Sequence, residues 1–239
     1  MRVGLYMSFA IGMIVGAVLG FFIFWVSLIR RARAVHAEGV LVRAELTAKD
    51  AVVGPALEGP AIVRLSGAFG GETGVHDILG LELRLQKTAA DPSVGDQDLV
   101  FGTFNSFRTA SADKAHTDAG DYLANAYSSV TPWWTTALGA AVTYHLAPPD
   151  PGDRGRGVDR VGRLEADLSA GSARFTLLAD TQPVAELHLL ARLDDVNDAA
   201  SLRVSMFRCG RKIRPLGMRN GIRATVYPIS ELARRIRGG

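Results

Sequence analysis

The stretch Arg33-Ala34-Val35-His36-Ala37-Glu38-Gly39, running directly into Val40-Leu41-Val42-Arg43-Ala44-Glu45-Leu46, decides how this chain is read. From Gly39 onward apolar and polar side chains largely alternate, the period of a half-buried strand, and Gly39 supplies the punctuation ahead of it. Similar short runs follow at Ala61 to Ser66, Leu79 to Leu85 and Leu99 to Phe104. A second group is expected at Leu164 to Leu168, Ala173 to Leu178, Ala185 to Leu193 and Leu202 to Phe207, with Gly, Asp and Asn between the runs. Many short strands at this spacing suggest an antiparallel barrel or sandwich.

N-terminal to this stretch the chemistry changes. No charged side chain occurs from Val3 through Ile29, which exceeds the roughly 20 residues a helix needs to cross a bilayer. A cleavable signal peptide is the competing reading. It is disfavoured by the length of the run and by Arg30, Arg31 and Arg33, which occupy the cleavage region. Only Arg2 precedes the run, so the positive-inside rule predicts a single-pass protein with its body in the cytoplasm. Cys209 is the sole cysteine, in keeping with a reducing compartment. The expected organisation is a transmembrane helix with its basic flank over residues 1–34, then one domain over 35–239. Within the run, Gly4, Ser8, Gly12, Gly16 and Gly20 recur every four residues and line one helix face. A homodimer through Gly12, Gly16 and Gly20 is therefore expected, in addition to the lipid bilayer as partner.

Toward the C-terminus, Ala119 to Ala147 carries Tyr122, Tyr127, Trp133 and Trp134 among alanines and is expected to be helical, covering the sheet. Asp113 to Asp121 and Pro148 to Arg160 read as exposed loops, and Gly67, Gly70 and Gly71 as a tight turn. Ser230 to Arg237 has the Ser cap and closing arginines of a short helix, with Tyr227 just ahead of it. The net charge of +3 is unevenly spread: ten Lys or Arg lie between Arg203 and Arg237, against Glu231 alone. Anionic lipid or haem propionates would suit that surplus. Nucleic acid is not expected, because no nucleic-acid motif accompanies it.

The five histidines show no metal-ligand spacing, and there is no G-x-S-x-G elbow, P-loop or G-x-G-x-x-G. At His36 the chain resembles the haem catalases, whose barrel opens with Arg-x-Val-His-Ala-(Lys or Arg)-Gly. Val63-Arg64-Leu65-Ser66 is similar to the family's Val-Arg-Phe-Ser, Asp77 to Leu85 to its Arg-Gly-Phe-Ala-Val-Lys strand, and Asp98-Leu99-Val100 to its Asp-Leu-Val strand. Near the end, Arg223, Tyr227, Pro228 and Arg234 match Arg-x-x-x-Tyr-Pro with a second Arg seven residues after the Tyr. The resemblance covers residues 33 to 110 in patches and then resumes at the end. It is strongest to the abbreviated, catalase-related haem proteins of bacteria.

Together with the N-terminal apolar run, the resemblance implies an α+β fold, a transmembrane helix followed by a catalase-like antiparallel barrel with covering helices, and it implies haem as cofactor. It implies His36 as distal acid/base with Ser66 bonded to it, Tyr227 as the iron ligand assisted by Arg223, and Arg64 and Arg234 at the propionates. A cation beside a phenol lowers its pKa, as an anionic ligand requires. Two departures weaken the dismutase reaction and favour slow peroxidase chemistry. The family's distal Asn follows Asp-Leu-Val-Gly directly, whereas this chain reads Phe101-Gly102-Thr103-Phe104-Asn105, and Glu38 replaces the family's Lys or Arg. Two other readings stand beside this one. One is a haem-free barrel holding a lipid-like ligand, which Trp133 and Trp134 would suit. The other is a metal-dependent phosphoester hydrolase built on His76, Asp77, His116, Asp118 and Asp121.

Overall fold

The computed structural model describes residues 2–30, 36, 39–68, 77–87, 95–106, 108–148, 159–193 and 202–236. Its helices are α1 (Arg2–Arg30), α2 (Gly54–Leu57), α3 (Ala110–His116), α4 (Arg160–Ser169) and α5 (Gly217–Ile236). Its strands are β1 (Gly39–Ala48), β2 (Gly59–Gly67), β3 (Leu79–Leu85), β4 (Gln97–Gly102), β5 (Tyr127–Ser128), β6 (Trp133–Thr135), β7 (Ala140–Val142), β8 (Tyr144–Ala147), β9 (Arg174–Ala179), β10 (Gln182–Arg192) and β11 (Ile213–Pro215). Eight strands form a closed antiparallel barrel in the order β1-β10-β9-β8-β5-β4-β3-β2, and β11, β6 and β7 form a small separate sheet. Closure leaves the barrel no free edge to satisfy.

The chain is therefore an α+β protein with an N-terminal apolar helix and an antiparallel barrel. Val63, Leu65, Leu81, Leu83, Leu99, Phe101, Leu177 and Leu187 supply one continuous core. Alternate positions on the same strands are buried as well: Arg64, Ser66, Glu82, Arg84 and Asp98 are all under 9% exposed. Both faces of β2 to β4 are thus covered, and the polar face must satisfy itself. Asp98 accepts from Arg84 Nε at 2.8 Å, from Arg208 at 2.7 Å and from the Ser205 N–H at 2.8 Å. Arg84 also donates to the Arg203 carbonyl. This buried knot pins residues 203 to 208, the approach to β11 and α5, onto the barrel.

Six of the eight expected strands are found, and two are not. Leu164 to Leu168 lies inside α4, which Asp159 caps by accepting the Gly162 N–H at 2.7 Å; the cap outweighs a short apolar run. Leu202 to Phe207 is irregular because its backbone bonds to the Arg84–Asp98 knot instead of to a strand. Ala119 to Ala147 is not a helix but holds β5 to β8. Pro132, the turn at Gly139 (φ 61°) and the β-branched residues between them break it into short strands, and tertiary pairing overrides alanine's helix preference. Asp113 to Asp121 is partly helical, since α3 runs to His116. The terminal helix begins at Gly217, not Ser230. Tyr227 and Pro228 lie inside it, and the Ser230 hydroxyl meets Ser27 Oγ at 2.8 Å instead of capping. Gly70, Gly71 and residues 149–158 lie outside the described residues.

The small-residue face of α1 is used within the chain. A Cβ on Gly12 would strike the Met218 carbonyl, one on Gly16 would strike Thr225 and Ile222, and one on Gly20 would strike Ile229. Gly221 on α5 in turn lies against the Phe9 carbonyl. Backbones this close require glycine at the seam. The close approach expected of Gly12, Gly16 and Gly20 is present, with α5 of the same chain as its occupant. A homodimer through the same glycines would have to displace α5.

Burial pushes the Cys209 thiol up to about 11, with Arg214 nearby opposing the shift. Alkylation of the native protein at pH 8 should therefore be roughly a hundred-fold slower than after unfolding, because the thiolate is the nucleophile. Timed labelling with and without denaturant checks this.

Candidate functional site

Strand pairing sets a row of small residues side by side across five strands: Gly39 pairs Ser66, Ser66 pairs Gly80, Gly80 pairs Gly102, and Gly102 pairs Ser128. The next partner after Ser128 is His145 on β8. A Gly within a strand usually marks a close approach by another group, and two such approaches occur here. The ring of His36 lies over Gly80, where an added Cβ would sit 2.7 Å from Cε1. The ring of Phe104 lies over Gly102, where the corresponding distance is 2.8 Å.

His36 is held at every polar atom of its backbone. Its N–H donates to the Ala68 carbonyl at 3.2 Å, and its carbonyl accepts from Arg64 at 2.8 Å. These bonds hold it at φ 56°, a left-handed conformation that costs a non-glycine residue on the order of 1 kcal/mol. Its Nδ1 lies 3.0 Å from Ser66 Oγ, and that hydroxyl also reaches the Gly80 carbonyl at 3.5 Å. Arg64 is fully buried and stands 3.9 Å from Glu82, its cross-strand partner on β3. His36 is thus brought to Arg64 and Ser66, which lie 28 and 30 residues further along the chain.

Helix α5 reaches the same region. The Arg219 guanidinium lies 5.8 Å from the centre of the Phe104 ring, within cation–π range. One turn on, Arg223 contacts the Ser129 carbonyl at 3.5 Å and Asn220 Oδ1 at 3.3 Å. Tyr227, a further turn along, is half-buried and packs against the core. The side chain of Arg234, like Glu38, lies outside the described residues.

Asn105 is exposed, and its N–H donates to Asp113 at 2.9 Å. It lines a cleft of about 240 Å³ together with Phe104, Asp113, His116, Asn125 and His145. Burial holds the His145 imidazole below its usual pKa, with Asp180 opposing. The four described residues of the hydrolase reading are engaged locally. Asp77 faces Arg160 at 3.9 Å, His116 Nδ1 meets the Ala112 carbonyl, and Asp118 and Asp121 accept from Gly120 and Leu123. Among the described residues no three metal-binding side chains converge, and His76 lies outside them. Trp133 and Trp134 are both buried in β6.

Sequence reading missed Glu82, Gly80, Gly102, Phe104 and Ser128. The glycines did carry a signal, since Gly80 follows directly on the first residue of β3 and Gly102 ends β4, each beside a Leu or Phe; Glu82 became legible only through its register with Arg64.

No family model matches this sequence, and the search of curated proteins gave no match. Among solved structures the chain is similar to a fungal catalase, at 13% identity and a TM-score of 0.56, over 85% of this chain. It spans 58% of that catalase's length. The fold is therefore catalase-like.

Proposed function

We propose that this chain is a membrane-attached, haem-binding protein with peroxidase-type activity toward peroxides, its barrel on the cytoplasmic side. The observation that carries the reading is His36 seated over Gly80, bonded to Ser66 and held through Arg64, on the face of a catalase-like barrel. The fit to haem is uneven. Bare glycine at 80 is what lets the imidazole approach the sheet this closely. Arg64, by contrast, already has Glu82 beside it, so it serves the His36 carbonyl more than a propionate. Tyr227 would ligate the iron, with Arg223 and Arg234 supplying positive charge on that side. When bound, haem supplies the redox chemistry of O–O cleavage.

The chain's own contribution is to relay a proton. With its O–H turned to the Gly80 carbonyl, Ser66 accepts from His36 Nδ1–H. That tautomer leaves a lone pair on Nε2, which takes a proton from one peroxide oxygen and returns it to the other. The reading is tested by absorption spectra of detergent-purified protein from haem-replete cells, beside Tyr227→Phe. A Soret band that the substitution abolishes or displaces is expected. No band in either protein after haem reconstitution would sink the proposal and favour a haem-free barrel.

A further inference from the structure

The sequence calls for α1 to cross the membrane, but its packing in the fold calls for something else. Helix α5 lies along α1 from Phe9, whose carbonyl meets Gly221, to Ser27, whose hydroxyl meets Ser230. Of helix α1, residues 2–8 precede that contact, a length of about 10 Å at 1.5 Å per residue, against the roughly 30 Å of a hydrocarbon core. On its other side α5 is fastened to the domain: Asn220 and Ala224 are buried, Arg223 reaches the Ser129 carbonyl, and the Leu216 N–H donates to the Pro132 carbonyl. A span along the α1 axis would draw α5, with Arg219, Arg223, Glu231 and Arg235, into hydrocarbon, where charged side chains are strongly disfavoured.

The face of α1 that α5 does not cover is wholly apolar. Val3, Ile14, Val18, Phe21, Phe22 and Ile29 are each more than 60% exposed, whereas Gly12, Gly16, Gly20 and Ser27 on the covered face are buried. Cations stand at both ends of α5: Lys212 and Arg214 precede it, Arg235 closes it, and Arg203 pairs with Glu231 at 3.1 Å. A two-helix layer that is apolar outside and carries basic groups at the ends of α5 has the distribution of a helix lying in an interface.

We propose that α1 stays packed on α5 and lies in the plane of one leaflet, its uncovered flank among acyl chains and the α5 cations among anionic lipid headgroups. This rests on the membrane attachment in the function proposed above and is independent of haem. It makes the protein monotopic.

The test uses the full chain with Cys209→Ser. In cell membranes, Ser27→Cys with Ser230→Cys is expected to form an intramolecular disulfide on mild oxidation. Single Arg2→Cys and Arg235→Cys variants are expected to react with a membrane-impermeant maleimide from the same side. The purified protein should also float with phosphatidylglycerol-containing vesicles at least ten-fold better than with phosphatidylcholine alone. Labelling from opposite sides would establish a span and overturn the proposal. So would membrane-bound protein in which the 27–230 disulfide does not form, or protein that stays out of the vesicle fraction. The Soret band, read on the same samples, fails or survives separately.

Discussion

Asp98→Ala is expected to lower the stability of the barrel by about 3–5 kcal/mol, because it strips a buried carboxylate from two arginines that remain. Asp98 is fully buried, and its oxygens serve Arg84, Arg208 and the Ser205 N–H at 2.7 to 3.1 Å. Arg84 is almost as buried and cannot turn to water. For a chain of this size the loss corresponds to a fall in Tm of roughly 10 °C, measured in detergent by scanning calorimetry. Because the knot also holds residues 203 to 208 against the barrel, the variant should expose that segment to protease before global unfolding. Replacing Arg208, which is partly exposed, should cost much less. A change below about 1 kcal/mol for Asp98→Ala would mean that water or a rearranged side chain replaces the carboxylate.

The barrel was legible where a strand's signal is local. Val40 to Leu46 and Ala185 to Leu193 alternate, and Leu79 to Leu85 is bounded by turn residues, so their periodicity survives tertiary context. Legibility failed where the deciding interaction is remote. Nothing near Leu202 says that its neighbours will be captured by Asp98, more than a hundred residues earlier. Nothing near Tyr127 or Trp133 says that single-turn strands will form, because alanine-rich sequence accepts a sheet when partners are waiting. Tyr127 donates to the Tyr122 carbonyl and sets its ring edge-on to Phe175, contacts no local pattern encodes. At the candidate site, the motif residues His36, Arg64 and Ser66 do meet. What the motif could not give was Glu82, whose position opposite Arg64 follows from strand register alone.

That register separates the two roles that resemblance assigns to the distal residues. Arg64 with a carboxylate of its own is an anchor for the His36 backbone, whereas Ser66 acts on the ring. Glu82→Gln should therefore loosen the hold on His36 without touching the imidazole, and its effect should be milder than that of removing the ring.

His36→Ala is expected to lower peroxide consumption by haem-loaded protein on the order of 10²–10⁴-fold while leaving the Soret band in place, since proton transfer is the role proposed for the ring. Ser66→Ala leaves the ring seated over Gly80 but frees Nδ1–H, so tautomer selection weakens and roughly a ten-fold loss follows. Gly80→Val attacks the same geometry from beneath: a Cβ there already falls 2.7 Å from Cε1, and the branched side chain must expel the imidazole. It should match His36→Ala in activity, with the remaining barrel still folded by circular dichroism. Full activity in His36→Ala would show that peroxide chemistry, if present, runs without this histidine. Equal losses in all three variants together with a vanished Soret band would instead make the His36 face a structural support for the cofactor and not its proton carrier.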